Sequence, residues 1–331
     1  MNLTIRKFLL RHLWLFGPLI SFLLNHPRLL SPLIILYGQK YRRRYGCALG
    51  LGPHGRYLSL RKGQRELRLS TSHNSYIEDA VQRFDYYLEA IVPEVIEGRE
   101  VADFSQPRLH RVRGSDRQFE FTSFPEGIDI ATAYLDIFKI QAGDILIDAG
   151  AYCGLTAYMF STFVGPAGKV VAIEADPRNF GALQRNLQRN SAPNITPLHA
   201  AVWSQVGTID FASEGNMSSA VLEVSPFKPG RVSVASLTLD RISADLNLPK
   251  VDHVKVDIEG AEYEVVPALG AFVARYQPDF LIETHKNRNG VIDVEKLRQC
   301  FEGFGYGMRA VPQPGDEIFP LLYFFPKSMA R

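Results

Sequence analysis

The chain has 331 residues, 46% of them hydrophobic and 11% aromatic. That is enough for one large core or two modest ones, and it excludes the low-complexity and disordered classes. The net charge of +2 hides an asymmetry: residues 1–70 hold 13 Lys and Arg against one acid, Glu66, whereas the remainder holds 24 bases against 34 acids. A basic front points to an anionic partner, either a membrane surface or nucleic acid. The three cysteines, Cys47, Cys153 and Cys300, lie far apart with no metal spacing and imply no disulfide framework, which suits a reduced, cytoplasmic setting.

Residues 1–45 form a first region. Its longest run without a charged side chain, His12–Pro27, is interrupted by Gly17-Pro18 and falls short of the about 20 residues of a spanning helix. No small-residue cleavage site follows. Broken apolar helices lying in a membrane interface suit it, with Arg6, Lys7, Arg11, Arg28 and Arg42-Arg43-Arg44 toward anionic headgroups on the inner face. Packing on the protein's own core or on a second copy of the chain, as a homo-oligomer, suits it equally. Residues 46–125 read as an appended α+β region. Tyr57–Leu60 and Glu66–Leu69 alternate as two strands around a Lys62-Gly63 turn, Ile77–Ile96 has the spacing of one helix, and the basic cluster Arg108–Arg117 reads as solvated surface.

From residue 126 to 331 the pattern is that of an α/β domain. Predicted helices cover Ile128–Phe138, Thr156–Phe163 and Glu262–Leu269, and Asp176-Pro177 opens another. Predicted strands cover Asp144–Asp148, Lys169–Glu174, Ile195–Val202, Val251–Asp257 and Phe280–Glu283. An extra pair is expected at Gly207–Phe211 and Val232–Leu239, and an antiparallel pair at Met308–Val311 and Leu321–Phe325. Strands alternating with helices imply a mostly parallel, doubly wound, Rossmann-like sheet whose ligands bind at the carboxyl ends of the strands. Asp148, Glu174, Asp257 and Glu283 end four of those strands and would share one edge.

The turn Asp148-Ala149-Gly150-Ala151-Tyr152-Cys153-Gly154 is the most specific piece. Gly150 and Gly154 let the backbone turn tightly and approach a ligand. A dinucleotide enzyme wants a middle glycine to admit a pyrophosphate, and Tyr152 stands there instead. S-adenosylmethionine carries no phosphate, so the turn suits it better than NAD. Glu174, ending the next strand, is placed to take both ribose hydroxyls, a feature NAD enzymes share. An NAD-dependent enzyme and a non-catalytic nucleoside-binding or scaffold module are the competing readings. No target-base motif such as N-P-P-Y occurs, so nucleic acid is not the expected partner.

The stretch from Tyr134 to His285 resembles the FkbM-type methyltransferases. The resemblance runs through Tyr134-Leu135-Asp136-Ile137-Phe138, Gly143-Asp144, the Asp148–Gly154 turn, Glu174-Ala175-Asp176-Pro177 and Asn186-Leu187-Gln188-Arg189-Asn190. It continues in Val254-Lys255-Val256-Asp257-Ile258-Glu259-Gly260-Ala261-Glu262 and ends at Ile282-Glu283-Thr284-His285. The K-x-D-x-E-G-x-E run is its most specific part. The resemblance implies a class I methyltransferase sheet, S-adenosylmethionine as cofactor, and O-methylation of a hydroxyl on a glycan, glycolipid or natural product. The candidate cofactor contacts are Asp148, Gly150, Ala151, Tyr152 (a position often Asn in the family), Gly154, Thr156, Glu174, Ala175 and Asp257. The candidate catalytic groups are Asp257, Glu259, Glu283 and His285, with His285 having the most suitable ordinary pKa for a base. Acids this close could also hold a divalent metal that clamps a diol, but metal-free catalysis is the favoured expectation. Glu262 is expected to serve helix N-terminal electrostatics. Lys255 receives no role, and the polar turn Asn216–Ser219 reads equally as an acceptor-pocket loop or as ordinary surface.

Overall fold

The computed structural model describes residues 31–226, 228, 230–312 and 320–329, so the apolar segment 1–30 lies outside the described residues. No helix among the described residues is long and apolar enough to cross a membrane. The chain divides into two compact units, Met1–Arg108 and Leu109–Arg331.

In the first unit, helix Ser31–Tyr45 precedes a five-stranded sheet. Strands Leu58–Lys62 and Arg65–Leu69 pair antiparallel with Leu58 opposite Leu69 and Leu60 opposite Leu67, and all four leucines are buried. Gly63 takes φ 62° at the expected turn. The helix expected over 77–96 is instead two, Ile77–Gln82 and Phe84–Glu89, broken at Arg83, and Glu94–Ile96 is a strand. The two-residue turn Glu97-Gly98, both with positive φ, folds that strand back onto Arg99–Phe104 as a hairpin, and this pairing overrides the helical spacing. Part of the described basic front is matched by nearby acids: Lys40 pairs with Glu78 at 3.0 Å, Lys62 with Asp85 at 2.7 Å, and Arg65 with Asp85 at 2.6 Å and Glu89 at 3.0 Å.

The second unit is built on a seven-stranded sheet: β1 (Ile145–Ala149), β2 (Lys169–Glu174), β3 (Ile195–His199), β4 (His253–Val256), β5 (Asp279–Glu283), β6 (Tyr306–Val311) and β7 (Leu321–Pro326). Their order is β3-β2-β1-β4-β5-β7-β6. The first five are parallel, and β7 runs antiparallel to both β5 and β6. This is the doubly wound, class I methyltransferase-like arrangement expected from the alternating pattern. The chain reverses direction across the sheet between β1 and β4, where ligands of such sheets bind.

Period-two alternation assigns each side chain to a face. Ile145, Ile147 and Ala149 of β1 join a core with Phe272, Phe280, Phe301 and Phe324 on one side. Leu146 joins Leu281 and residues of three helices on the other: α1 (Ile128–Phe138), α2 (Leu155–Val164) and α3 (Pro177–Arg189). Asp148, two residues beyond Leu146, therefore leaves the sheet on the α1–α3 face.

Two expectations need correction. The single strand over 195–202 is divided: β3 ends at His199, and Ala201–Val202 pairs with Arg231–Leu237 in a separate four-stranded sheet. The extra pair expected at Gly207–Phe211 and Val232–Leu239 forms in that second sheet, as Gly207–Ala212 antiparallel to Arg231–Leu237. The helix over 262–269 is a single turn, Glu262–Val265, followed by a tight turn at Val266–Ala268 and a further helix, Gly270–Tyr276. Pro267 removes the backbone donor that a continuous helix needs there.

Candidate active site

The glycine turn begins where β1 ends. Gly150 (φ 84°), Tyr152 (φ 47°) and Gly154 (φ 86°) are all left-handed, and they fold residues 150–154 into a tight loop before α2. Left-handed backbone is cheapest for Gly and is tolerated by Asn, so Tyr152 holds this conformation at a cost. The loop is pinned to β2: the Gly150 and Ala151 N–H groups both donate to the Ile173 carbonyl at 2.9 Å. A Cβ on Gly150 would lie 1.8 Å from the Asp257 carbonyl oxygen, and one on Gly154 would lie 2.3 Å from Leu183 Cδ1 of α3. Gly150 is therefore required for close packing as well as for its dihedral, whereas at Gly154 the clash falls on a side-chain end and the dihedral is the firmer constraint.

The Tyr152 side chain departs from expectation. It does not stand at the turn to crowd a ligand; it is buried, its hydroxyl donating to the Phe124 carbonyl at 3.0 Å and accepting from the Ser123 N–H at 3.0 Å. The backbone N–H of Tyr152 is what faces β2, donating to Glu174 Oε2 at 2.9 Å. Glu174 Oε1 accepts from the Asp176 N–H at 2.8 Å, so this carboxylate also fastens the loop to the start of α3. Burial pushes its pKa up to about 8 against the lowering effect of those N–H groups. The Ala175 carbonyl lies 3.1 Å from His199 Nε2.

Asp176 caps α3, accepting from the Arg178 N–H at 2.8 Å. Its other oxygen accepts from the Gly215 N–H at 2.9 Å and the Ser219 hydroxyl at 2.6 Å. Asn179 Nδ2 donates to the Asn216 carbonyl at 3.0 Å. The turn at 215–219 is thus fastened to the start of α3, and Asn216 is buried. Asp176→Ala removes a cap and leaves buried donors unpaired, so a loss of about 2–3 kcal/mol is expected in a denaturant titration. A change below about 0.5 kcal/mol would refute that account.

A second group of polar side chains lies at the ends of β4 and β5. Lys255 pairs in register with Asp148 across β4 and β1, so both side chains leave the sheet on the same face. Asp148 is fully buried, neither of its oxygens accepts a hydrogen bond, and Lys255 Nζ lies 3.3 Å from its Oδ1. Burial raises the Asp148 pKa, while Lys255 opposes it. Burial alone would lower the Lys255 pKa, but Asp148, Asp257, Glu126 and Glu283 hold it well above the ordinary lysine value, so it remains an ammonium.

His285 Nε2 lies 3.7 Å from Asp257 Oδ1 and 3.7 Å from Glu259 Oε1, and its Nδ1 lies 3.2 Å from Glu262 Oε1. Burial would lower the His285 pKa, but Glu259, Glu262 and Asp257 raise it well above its ordinary value. Glu259 sits at φ 54°, a strained conformation for a glutamate. Glu262 does more than expected of a helix-start acid: it is fully buried, and Oε1 accepts from the Ile258 N–H at 3.2 Å while bracing His285. Glu283 Oε2 accepts from the Tyr134 hydroxyl at 3.0 Å, and burial together with Asp257 pushes its pKa up to about 8.

The sequence reading missed Glu126. It precedes α1 outside any motif, yet it accepts from the Thr156 hydroxyl at 2.9 Å, and burial pushes its pKa up to about 7. Only the tertiary fold brings it close to Thr156, Asp148 and Asp257. Around Lys255, then, the fold gathers Asp148, Asp257, Glu126 and Glu283.

Residues 148–308 match the family described as "Methyltransferase FkbM domain". Hexuronic acid methyltransferase AglP of Haloferax volcanii is 31% identical over 132 residues, 40% of this chain and 52% of that protein. Methyltransferase sdnD of Sordaria araneosa is 27% identical over 163 residues, covering 40% of this chain and 62% of that protein. The chain therefore spans only about half to three-fifths of these two relatives. A solved structure described as methyltransferase FkbM from Methylobacillus flagellatus is 18% identical, with a TM-score of 0.41, and the match covers 55% of this chain and 43% of that one. Over residues 148–308, just under half of its length, the chain is thus similar to the FkbM methyltransferases.

Proposed function

We propose that the chain transfers a methyl group from S-adenosylmethionine to a hydroxyl oxygen of a glycan, glycolipid or related natural product. The observation that carries this reading is the joining of the two sides at the β1–β4 crossing: the glycine loop packs directly on Asp257, whose N–H donates to the Ala149 carbonyl at 3.0 Å. The residues suit this donor. The acids Glu126, Asp148, Asp257 and Glu283, gathered around the single ammonium of Lys255, offer acceptor oxygens to a cationic ligand. Asp148, Gly150, Ala151, Gly154, Thr156, Glu174, Ala175 and the Tyr152 backbone would hold it.

When bound, the cofactor supplies an electrophilic methyl group. The chain's own residues place the acceptor and take its proton. Asp257, Glu259 and Glu283 offer carboxylate oxygens to a hydroxyl donor, and His285, braced by Glu262, takes the proton through Nε2 once its ring is neutral. The relative that acts on a hexuronic acid supports a sugar as the acceptor class. Attachment of segment 1–45 to an anionic membrane on the cytoplasmic side belongs to the same proposal, and flotation with phosphatidylglycerol vesicles tests it.

Calorimetry with S-adenosylmethionine should show one-site binding, and mass spectrometry of sugar acceptors incubated with isotopically labelled cofactor should show a labelled methyl ether. Absence of binding defeats the proposal. Binding without transfer to any hydroxyl acceptor favours the nucleoside-binding scaffold instead. Donor atoms of Asp257, Glu259 and His285 lie within 4.8 Å of one another, close enough for a shared cation. We expect proton removal to need none: activity should persist after EDTA treatment. A loss restored by magnesium or manganese would reassign the trio to a metal.

A further inference from the structure

Lys255 has no part in the proton and methyl chemistry, yet it is among the most deeply buried cations of the described residues, with a side chain 3% exposed. Its Nζ makes three contacts that lead to different parts of the site. It donates to the Gly150 carbonyl at 2.8 Å, at the first residue of the donor loop. It lies 3.3 Å from Asp148 Oδ1, at the end of β1. It also lies 3.3 Å from Asp257 Oδ2, on the acceptor side. A pair serving the core alone would need only Asp148.

We propose that Lys255 is a positioning residue that fixes the donor loop and the acceptor-side carboxylate relative to each other through a single ammonium. The inference rests on the methyl-transfer reading. In-line transfer tolerates little misplacement between donor and acceptor. The Gly150 carbonyl sets the direction of the loop, and Asp257 Oδ1 faces His285 while Oδ2 faces Lys255. One group therefore orients both. The backbone bond from Asp257 N–H to the Ala149 carbonyl does not involve the side chain, so the ends of β1 and β4 stay joined when Lys255 is replaced.

The test is Lys255→Met, with melting temperature, cofactor affinity by calorimetry, and kcat and acceptor KM measured separately. The expected result is a cooperatively folding protein whose affinity for S-adenosylmethionine falls by about tenfold or more. Its kcat should fall by about a hundredfold, with acceptor KM changed by less than about threefold. A folded variant with affinity and kcat both within about threefold of wild type overturns the proposal. Should the unpaired buried Asp148 prevent folding, Asp148→Asn/Lys255→Met, which removes the buried pair together, is compared with Asp148→Asn. A further affinity loss of about tenfold is then expected, and equal affinity overturns the proposal. Failure of the wild-type protein to bind the cofactor would instead defeat the methyl-transfer reading itself.

Discussion

Gly150→Ala is expected to weaken S-adenosylmethionine binding by about a hundredfold or more, with activity falling in step. Two costs combine. The added Cβ would meet the Asp257 carbonyl oxygen at 1.8 Å, a backbone atom that cannot swing aside. The residue must also hold φ 84°, a conformation that strains any non-glycine residue by about 1–3 kcal/mol. Relief requires the loop to lift away from β4, which separates the Gly150 carbonyl from Lys255 and the Tyr152 N–H from Glu174. Calorimetry of a variant shown to be folded by circular dichroism checks this. Affinity within about threefold of wild type would mean that the loop does not hold the donor.

His285→Ala should lower kcat by about 10²–10⁴-fold while leaving cofactor affinity nearly unchanged. The ring faces Asp257, Glu259 and Glu262, the groups proposed to place the acceptor and brace the base. The pH dependence should carry the same signature. Although burial favours the neutral ring, the surrounding carboxylates raise the pKa well above its ordinary value. The base-competent neutral form is then a minority near pH 7 and grows as pH rises, so kcat should climb toward the alkaline side and then level. A flat wild-type profile, or the same climb in His285→Gln, would remove His285 from proton transfer.

Stability should move the opposite way in the unliganded protein. His285, with a raised folded-state pKa, contributes stability that is fully present below its unfolded value and is lost as pH rises through the folded one. Glu126, Glu174 and Glu283, raised to about 7, 8 and 8, act in the same direction, because the folded state binds their protons more tightly than the unfolded chain does. The unliganded protein should therefore melt at a higher temperature at about pH 6 than at about pH 8.5, and a reversed order would contradict these shifts.

Much of this site was legible in the sequence because its signals are local. An apolar run ending in Asp148 and followed by Gly150 and Gly154 declares a strand, a turn and a helix within ten residues. The carboxyl-end acids then fall on one edge once the strands are parallel. Where the sequence reading failed, the deciding contact was distant. Nothing near residue 200 announces that the chain leaves β3 at His199 to pair Ala201–Val202 with Arg231–Leu237. The Tyr152 ring found its place through residues 122–124, and Glu126 acquired its meaning from Thr156 and the acids around Lys255. The register of β4 on β1 gives Lys255 its partner, and spacing within either strand does not reveal that alignment.

The tight packing of the donor loop also governs its reactivity. Cys153 lies within the loop, fully buried, 3.5 Å from the Thr122 hydroxyl, and burial pushes its thiol up to about 12. A thiol this protonated and enclosed is a poor target for oxidants and alkylating agents. The loop's geometry is thus shielded from redox damage while it stays closed. Any labelling of Cys153 then reports how often the loop opens, giving this chain a native probe of local opening at that turn.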